Sequence, residues 1–196
     1  MNRNAYSPRG ILLVAIMLVL GPVHSARSLE SAEAGGSAIW LLVDGASREL
    51  RVMRGEHVLR RFPGISVGRA GIGAKLRNGD EVTPTGEFRI AWIPSKTQFH
   101  RFFGIDFPNQ GAVERAREVG VIDRSTHDQL LAELALTQVP PQDTVLGGNL
   151  GIHGLGSADP QIHERYNWTR GCVALTNQQI DELAAWVGIG TRVVIR

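Results

Sequence analysis

Cys172 is the single cysteine of this 196-residue chain, and it lies in Thr169-Arg170-Gly171-Cys172-Val173-Ala174-Leu175. His153 stands 19 positions upstream in Asn149-Leu150-Gly151-Ile152-His153-Gly154. A thiol attacks a carbonyl as the thiolate, and a neighbouring imidazole can take its proton and later return it to a leaving amine. The two side chains together point to covalent acyl transfer. A lone histidine is more often structural than catalytic, but pairing with a lone cysteine reverses that weighting. Glycine on both sides of the Ile152-His153 pair permits close backbone approach, and Leu150 with Ile152 points to a short strand that presents the imidazole from its end. A rival constellation is a zinc peptidase built from His153, Asp159 and His163. Its spacing is poor, no His-Glu-x-x-His helix exists, and Cys172 would have no role.

The elements that must position these residues are legible from apolar periodicity. Ile39 to Val43 is a continuous apolar run, Leu50 and Val52 flank Arg51, and Val58-Leu59 leads to Phe62. Asp44-Gly45 and Arg54-Gly55 separate these stretches, so the spacing predicts a hairpin ladder at the start of a sheet. Phe88, Ile90 and Trp92 alternate with Glu87, Arg89 and Ala91, a further strand with one buried face. Trp40, Phe88 and Trp92 are expected in the core. The glycine-rich stretch Gly68 to Gly86 superficially resembles a phosphate cradle. Ala74 intervenes before Lys75, however, and Leu76 stands where Ser or Thr would hold magnesium, so it reads as a long connection shaped by turns.

Two helices follow. Ser125 with Asp128 resembles a capping box ahead of Leu130, Leu131 and Leu134. Thr176 with Gln179 forms another, and Ile180, Leu183, Ala184 and Val187 place one apolar stripe against a core. Arg192 to Arg196 carries Val193, Val194 and Ile195, a last strand able to close the sheet. Cys172 thus precedes a capped helix, where dense backbone N–H groups are expected to lower a thiol pKa and bind an oxyanion. Asp159-Pro160 and His163 are expected in a polar loop. His163, Tyr166 and Trp168 lie between the candidate pair and are read as a wall or lid, or as residues that only order the loop. His100, beside the Phe99 to Phe103 run, and His127, in a helix, are read as packing residues.

Arg3 and Arg9, the apolar run Ile11 to Leu20 and the small residues near Ser25 and Ala26 read as a secretory signal over residues 1–25, with an uncleaved anchor as the alternative. The run is shorter than the roughly 18 residues of a membrane span, so no stable span is expected after the signal is removed. Residues 26–37 read as a linker and 38–196 as one domain. Without the signal, 19 basic residues face 19 acidic ones. No basic run marks a nucleic-acid face. One cysteine allows no internal disulfide, so packing must hold the fold.

From Ile39 to Arg196 the chain resembles the L,D-transpeptidase catalytic domain, the YkuD-type enzymes that rework peptidoglycan. The resemblance is carried by His153-Gly154 followed by Thr169, Arg170, Gly171 and Cys172, and by Thr83-Pro84-Thr85-Gly86-Glu87-Phe88 leading into a strand. Pro108-Asn109, Pro140 to Thr144 and Leu146-Gly147-Gly148 resemble a subset with a helical insertion before the His. Many members have His before the Gly-Cys pair, where this chain has Arg170. That arginine is a fixed cation able to depress the Cys172 pKa, a carboxylate-binding group, or a solvated loop residue.

The resemblance implies a mainly β fold with α insertions, a YkuD-like sandwich or barrel of mixed strands with two or more helices. It implies that Cys172 attacks the tetrapeptide stem at the L-centre of diaminopimelate, expels D-alanine and holds a thioester that an amine then receives. His153 acts as base and then acid, its other nitrogen held by a backbone carbonyl. The N–H groups of Gly171 and Cys172 are the implied oxyanion donors. Thr169, Arg170, Gly154, Trp168 and Tyr166 are the candidate substrate contacts. No cofactor and no metal is required, and the partners are peptidoglycan stem peptides, with an envelope protein as a possible acceptor and no nucleic acid. Water as acceptor would make the protein an L,D-carboxypeptidase or hydrolase. A non-catalytic wall-binding module is the reading of another class.

Overall fold

The computed structural model describes Met1 and residues 38–196. The expected export signal and linker lie outside the described residues, Met1 excepted. The strands are β1 (Ile39–Asp44), β2 (Glu49–Arg54), β3 (His57–Pro63), β4 (Ile72–Gly73), β5 (Thr83–Pro84), β6 (Gly86–Trp92), β7 (Phe102–Ile105), β8 (Gly151–His153), β9 (Val173–Ala174) and β10 (Arg192–Ile195). The helices are α1 (Gln110–Glu118), α2 (Arg124–Leu136), α3 (Pro160–Arg165) and α4 (Asn177–Leu183).

The predicted ladder forms as the antiparallel meander β1-β2-β3. Gly55 turns the second hairpin at φ +56°, a conformation open to glycine at little steric cost. The chain end then inserts beside the start: β10 runs parallel to β1 and antiparallel to β6. The expected closing strand is therefore central, in the order β3-β2-β1-β10-β6-β7-β8-β9. Val193 and Ile195 are buried there, consistent with a strand flanked on both sides.

Strand β6 serves two neighbours in turn. Gly86 to Arg89 pair with β10, whereas Ile90 and Trp92 pair with β7 across a register shift, so the sheet turns along this strand. Leu41, Val43, Leu50, Val52 and Phe62 then share one core with Phe103, Ile105, Ile152 and Val173. Phe88 is fully buried as expected, while Trp40 and Trp92 are only half-buried. The sheet does not close as a barrel. Its two ends nonetheless meet, because Ser66, just past β3, exchanges backbone hydrogen bonds with Ala174 of β9 at 3.0 and 2.7 Å.

The helices correct the sequence reading in detail. Helix α2 is capped by Asp123, which accepts from Thr126 N at 2.8 Å, two residues before the expected Ser125. Ser125 instead lies inside the helix. Helix α4 carries the predicted Thr176–Gln179 box, but it ends at Leu183 rather than reaching Val187. The segment expected as a polar loop contains α3, whose Pro160 sits in the first turn behind the cap Asp159.

Candidate active site

Strand β8 carries His153 and strand β9 follows Cys172, and the two lie side by side in parallel with Ile152 opposite Val173. This pairing converts a separation of 19 residues into adjacency. Both side chains line one cleft of about 560 Å³, with Thr169, Arg170 and Trp168 from the segment before Cys172 and Lys75, Asn78 and Gly79 from the glycine-rich stretch.

The turn that presents Cys172 is held by Thr169. Its hydroxyl donates to Cys172 O at 2.7 Å and accepts from Gly171 N at 3.2 Å. Gly171 sits at φ +125°, and a Cβ there would lie 2.8 Å from Val82 O and 3.1 Å from Leu150 Cδ2. Only glycine fits that position without displacing backbone. The Cys172 thiol points to Asn149 O at 3.6 Å.

His153 is buried, and its Nδ1 lies 2.7 Å from Gly154 O. A carbonyl only accepts, so Nδ1 carries the proton and Nε2 keeps its lone pair. The ring is fixed by Phe99 at 4.3 Å, a stacked Phe102 at 6.1 Å and the edge of Trp168 at 6.0 Å. Gly154 is needed behind it, because a Cβ would lie 2.8 Å from Asn177, Ile180 and Phe99 atoms.

A family model for the L,D-transpeptidase catalytic domain, YkuD, matches residues 38–195. The chain belongs to this family. L,D-transpeptidases act on peptidoglycan stem peptides, and this chain shares their mainly β fold with a mixed sheet. Among solved structures, it is similar to Bdellovibrio bacteriovorus Bd1075 at 20% identity and TM-score 0.52, over 84% of this chain and 49% of that one. It is likewise similar to the helical cell shape determining protein Pgp2 from Campylobacter jejuni, at 19% identity and TM-score 0.52, over 83% and 51%. The chain thus spans about half the length of these structures, and the likeness is one of fold. No curated protein matches the sequence.

Within the L,D-transpeptidase cleft, burial raises the Cys172 thiol pKa to about 11, opposed by the Gly151 N–H and the Lys75 charge. The net shift is upward, against the lowering that a position before a capped helix could give. Helix α4 begins only at Asn177, and its box already engages the Gln179 N–H. Desolvation therefore dominates. Burial also lowers His153 to about 4, with only the Gly154 carbonyl pulling the other way. The resting pair is neutral, with the proton on sulfur.

The other candidates divide. Arg170 is exposed at the cleft rim, and the cation that acts on the thiol is Lys75 instead. Tyr166 is 62% exposed and lies outside the cleft lining. Gly171 N–H is already engaged by Thr169. His163 is buried with Nδ1 accepting from Trp168 Nε1 at 3.3 Å, so it braces the indole that edges His153. Asp159 caps α3 through Gln161 N at 2.8 Å. His100 is a surface partner of Asp181 at 2.8 Å rather than a packing residue, whereas His127 is largely buried and lies 3.1 Å from Glu114. Lys75 was passed over in the sequence because its spacing failed the phosphate-loop pattern. Only the folded stretch shows that its ammonium is buried against Asp80 and Arg77 O.

Proposed function

We propose that the protein is a peptidoglycan L,D-transpeptidase in which Cys172 is the nucleophile and His153 the general base and acid. The observation that carries this reading is the Nδ1–H bond to Gly154 O, which leaves His153 Nε2 as an acceptor in the cleft that holds the thiol. Because the resting pair is neutral, proton transfer accompanies attack rather than preceding it. Sulfur bonds to the stem carbonyl at diaminopimelate, its proton passes to Nε2, and the carbonyl becomes an oxyanion. The Cys172 N–H is the proposed donor to that oxyanion. Gly171 N–H joins only by giving up its contact with Thr169, and one such donor is typically worth roughly 3 kcal/mol.

Collapse returns the proton from His153 to the leaving D-alanine and leaves a thioester. An amine acceptor then attacks, loses its proton to His153 and displaces sulfur. Arg170 at the rim, with Thr169 and Trp168 in the wall, contacts the stem peptide. The catalytic unit is residues 38–196, exported by the segment 1–25.

Incubation of the purified protein with a carbapenem, followed by intact-mass measurement, tests the chemistry. One covalent adduct is expected, absent in Cys172→Ala and slowed at least a hundredfold in His153→Ala. A well-folded protein that forms no adduct would overturn the assignment. Muropeptide analysis of a deletion strain tests the acceptor. Lost 3-3 cross-links support an amine, and accumulated tetrapeptides with unchanged cross-links support water.

A further inference from the structure

The stretch that failed as a phosphate loop folds around a buried cation. The Lys75 side chain is 2% exposed, and its Nζ donates to Asp80 Oδ1 at 2.5 Å and Arg77 O at 3.2 Å. Asp80 is itself fixed by backbone N–H groups of Leu76, Arg77 and Val82 at 2.9 to 3.1 Å. From the opposite wall, Gly147 approaches so closely that a Cβ would lie 3.2 Å from Lys75 Cε. Asn78 N bonds Val145 O at 2.8 Å, tying this stretch to the segment that leads into β8. Its far end supports the nucleophile turn, with Thr83 Oγ1 3.4 Å from Cys172 O and Val82 O against Gly171.

The charged or titratable groups that line the cleft with Cys172 are Arg69, Lys75, His153 and Arg170. Arg69 is largely exposed and paired with Glu81 at 2.5 Å, Arg170 is exposed, and His153 is neutral at rest. Lys75 alone among these is a buried, immobile cation. A charge held in low dielectric acts on its neighbours far more strongly than one screened by water.

We propose that Lys75 is a positioning residue of the site: Asp80 clamps its ammonium in the cleft wall, where its fixed charge stabilises the Cys172 sulfur whenever that atom carries negative charge. The proposal rests on Cys172 being the nucleophile. Asp80 sets the strength of the effect, since it both immobilises the ammonium and offsets part of its field. Sulfur gains partial negative charge as its proton leaves during attack, and again as the thioester breaks, so the same cation serves both half-reactions.

The single cysteine makes alkylation a direct probe, independent of transpeptidation. The full-length protein, Lys75→Gln, Lys75→Arg and Asp80→Asn are alkylated at pH 8.5 with neutral iodoacetamide and with anionic iodoacetate, and native folding is confirmed by thermal melts. Lys75→Gln is expected to slow iodoacetamide by about threefold or more, the net of a smaller thiolate fraction and a more nucleophilic thiolate. It is expected to slow iodoacetate further. Lys75→Arg restores both rates, and Asp80→Asn raises both. A purely structural role would not change the ratio of the two reagents. Unchanged rates and ratio in folded variants overturn the proposal, as does failure of both Lys75→Gln and Asp80→Asn to fold, which would make the pair a clasp for the loop. A carbapenem adduct without these shifts would sink the role of Lys75 alone. The shifts without an adduct would sink the transpeptidase reading alone.

Discussion

Burial moves the Cys172 and His153 side chains apart on the pH scale, the thiol up to about 11 and the imidazole down to about 4. For His153 the folded value lies below the ordinary 6.5, so the unfolded chain binds the extra proton. The stability associated with a neutral His153 is present above pH 6.5 and is lost as pH falls towards 4, a change on the order of 3 kcal/mol. Thermal melts of the wild type should therefore drop steeply across that interval, and His153→Gln should flatten the drop. Burial shifts His163 the same way, so some acid sensitivity persists in the variant. An equal acid response in both proteins would refute the assignment of His153 as a buried neutral base. The lone cysteine and the His153-Gly154 and Thr169 to Cys172 segments drew attention to Cys172 and His153 in the sequence, and the fold brings both side chains to one cleft. Lys75 was not legible in the sequence, because only the folded loop shows that its side chain is buried in the wall of the cleft that Cys172 also lines.

The proposed nucleophile depends on a turn whose geometry is set by two neighbours. Thr169 bridges Gly171 N and Cys172 O, while Gly171 occupies a positive φ against Val82 O. Thr169→Val removes both bonds of a buried hydroxyl and should lower stability by about 1 to 3 kcal/mol. It should also slow carbapenem acylation at least tenfold, because the turn that presents the thiol loses its brace. Gly171→Ala should be worse on both measures, since the backbone must shift before a methyl group fits. Acylation kinetics with parallel denaturant melts check both, and a folded, fully active Thr169→Val would contradict this account. Element existence followed from periodicity where the runs were long, as in β1, β2, β6 and α4. Its limits appear at α1 and α3. Helix α3 is six residues long and buries only His163, too short for an apolar stripe to register. Helix α1 buries Ala112, Val113 and Ala116 among arginines and glutamates, a narrow face that the sequence does not advertise.

Across the whole molecule, the sheet brings its two ends together at the site. Ser66 joins them: its backbone pairs with Ala174, and its fully buried hydroxyl reaches His163 O at 3.0 Å and Tyr166 O at 2.9 Å. Ser66→Ala leaves those carbonyls short of a donor. It should lower stability by about 1 to 3 kcal/mol and speed hydrogen exchange over residues 163–174 more than in the β1-β2 hairpin. Uniform acceleration would show that Ser66 stabilises the fold without a local role. The sequence could not reveal this contact, because strand order is set by long-range pairing, and β10 was expected to close the sheet where it instead lies at its centre. The same packing governs how the protein meets oxidants. With its pKa pushed up by burial to about 11 rather than the ordinary 9.0, Cys172, the single cysteine, is predominantly the protonated thiol at pH 7. Peroxides and disulfides react with thiolates, so a thiol held in this protonated form is a slow target for sulfenylation and mixed disulfides. In the proposed mechanism the thiol is thereby stored in its less reactive form until a substrate carbonyl and His153 draw the proton away.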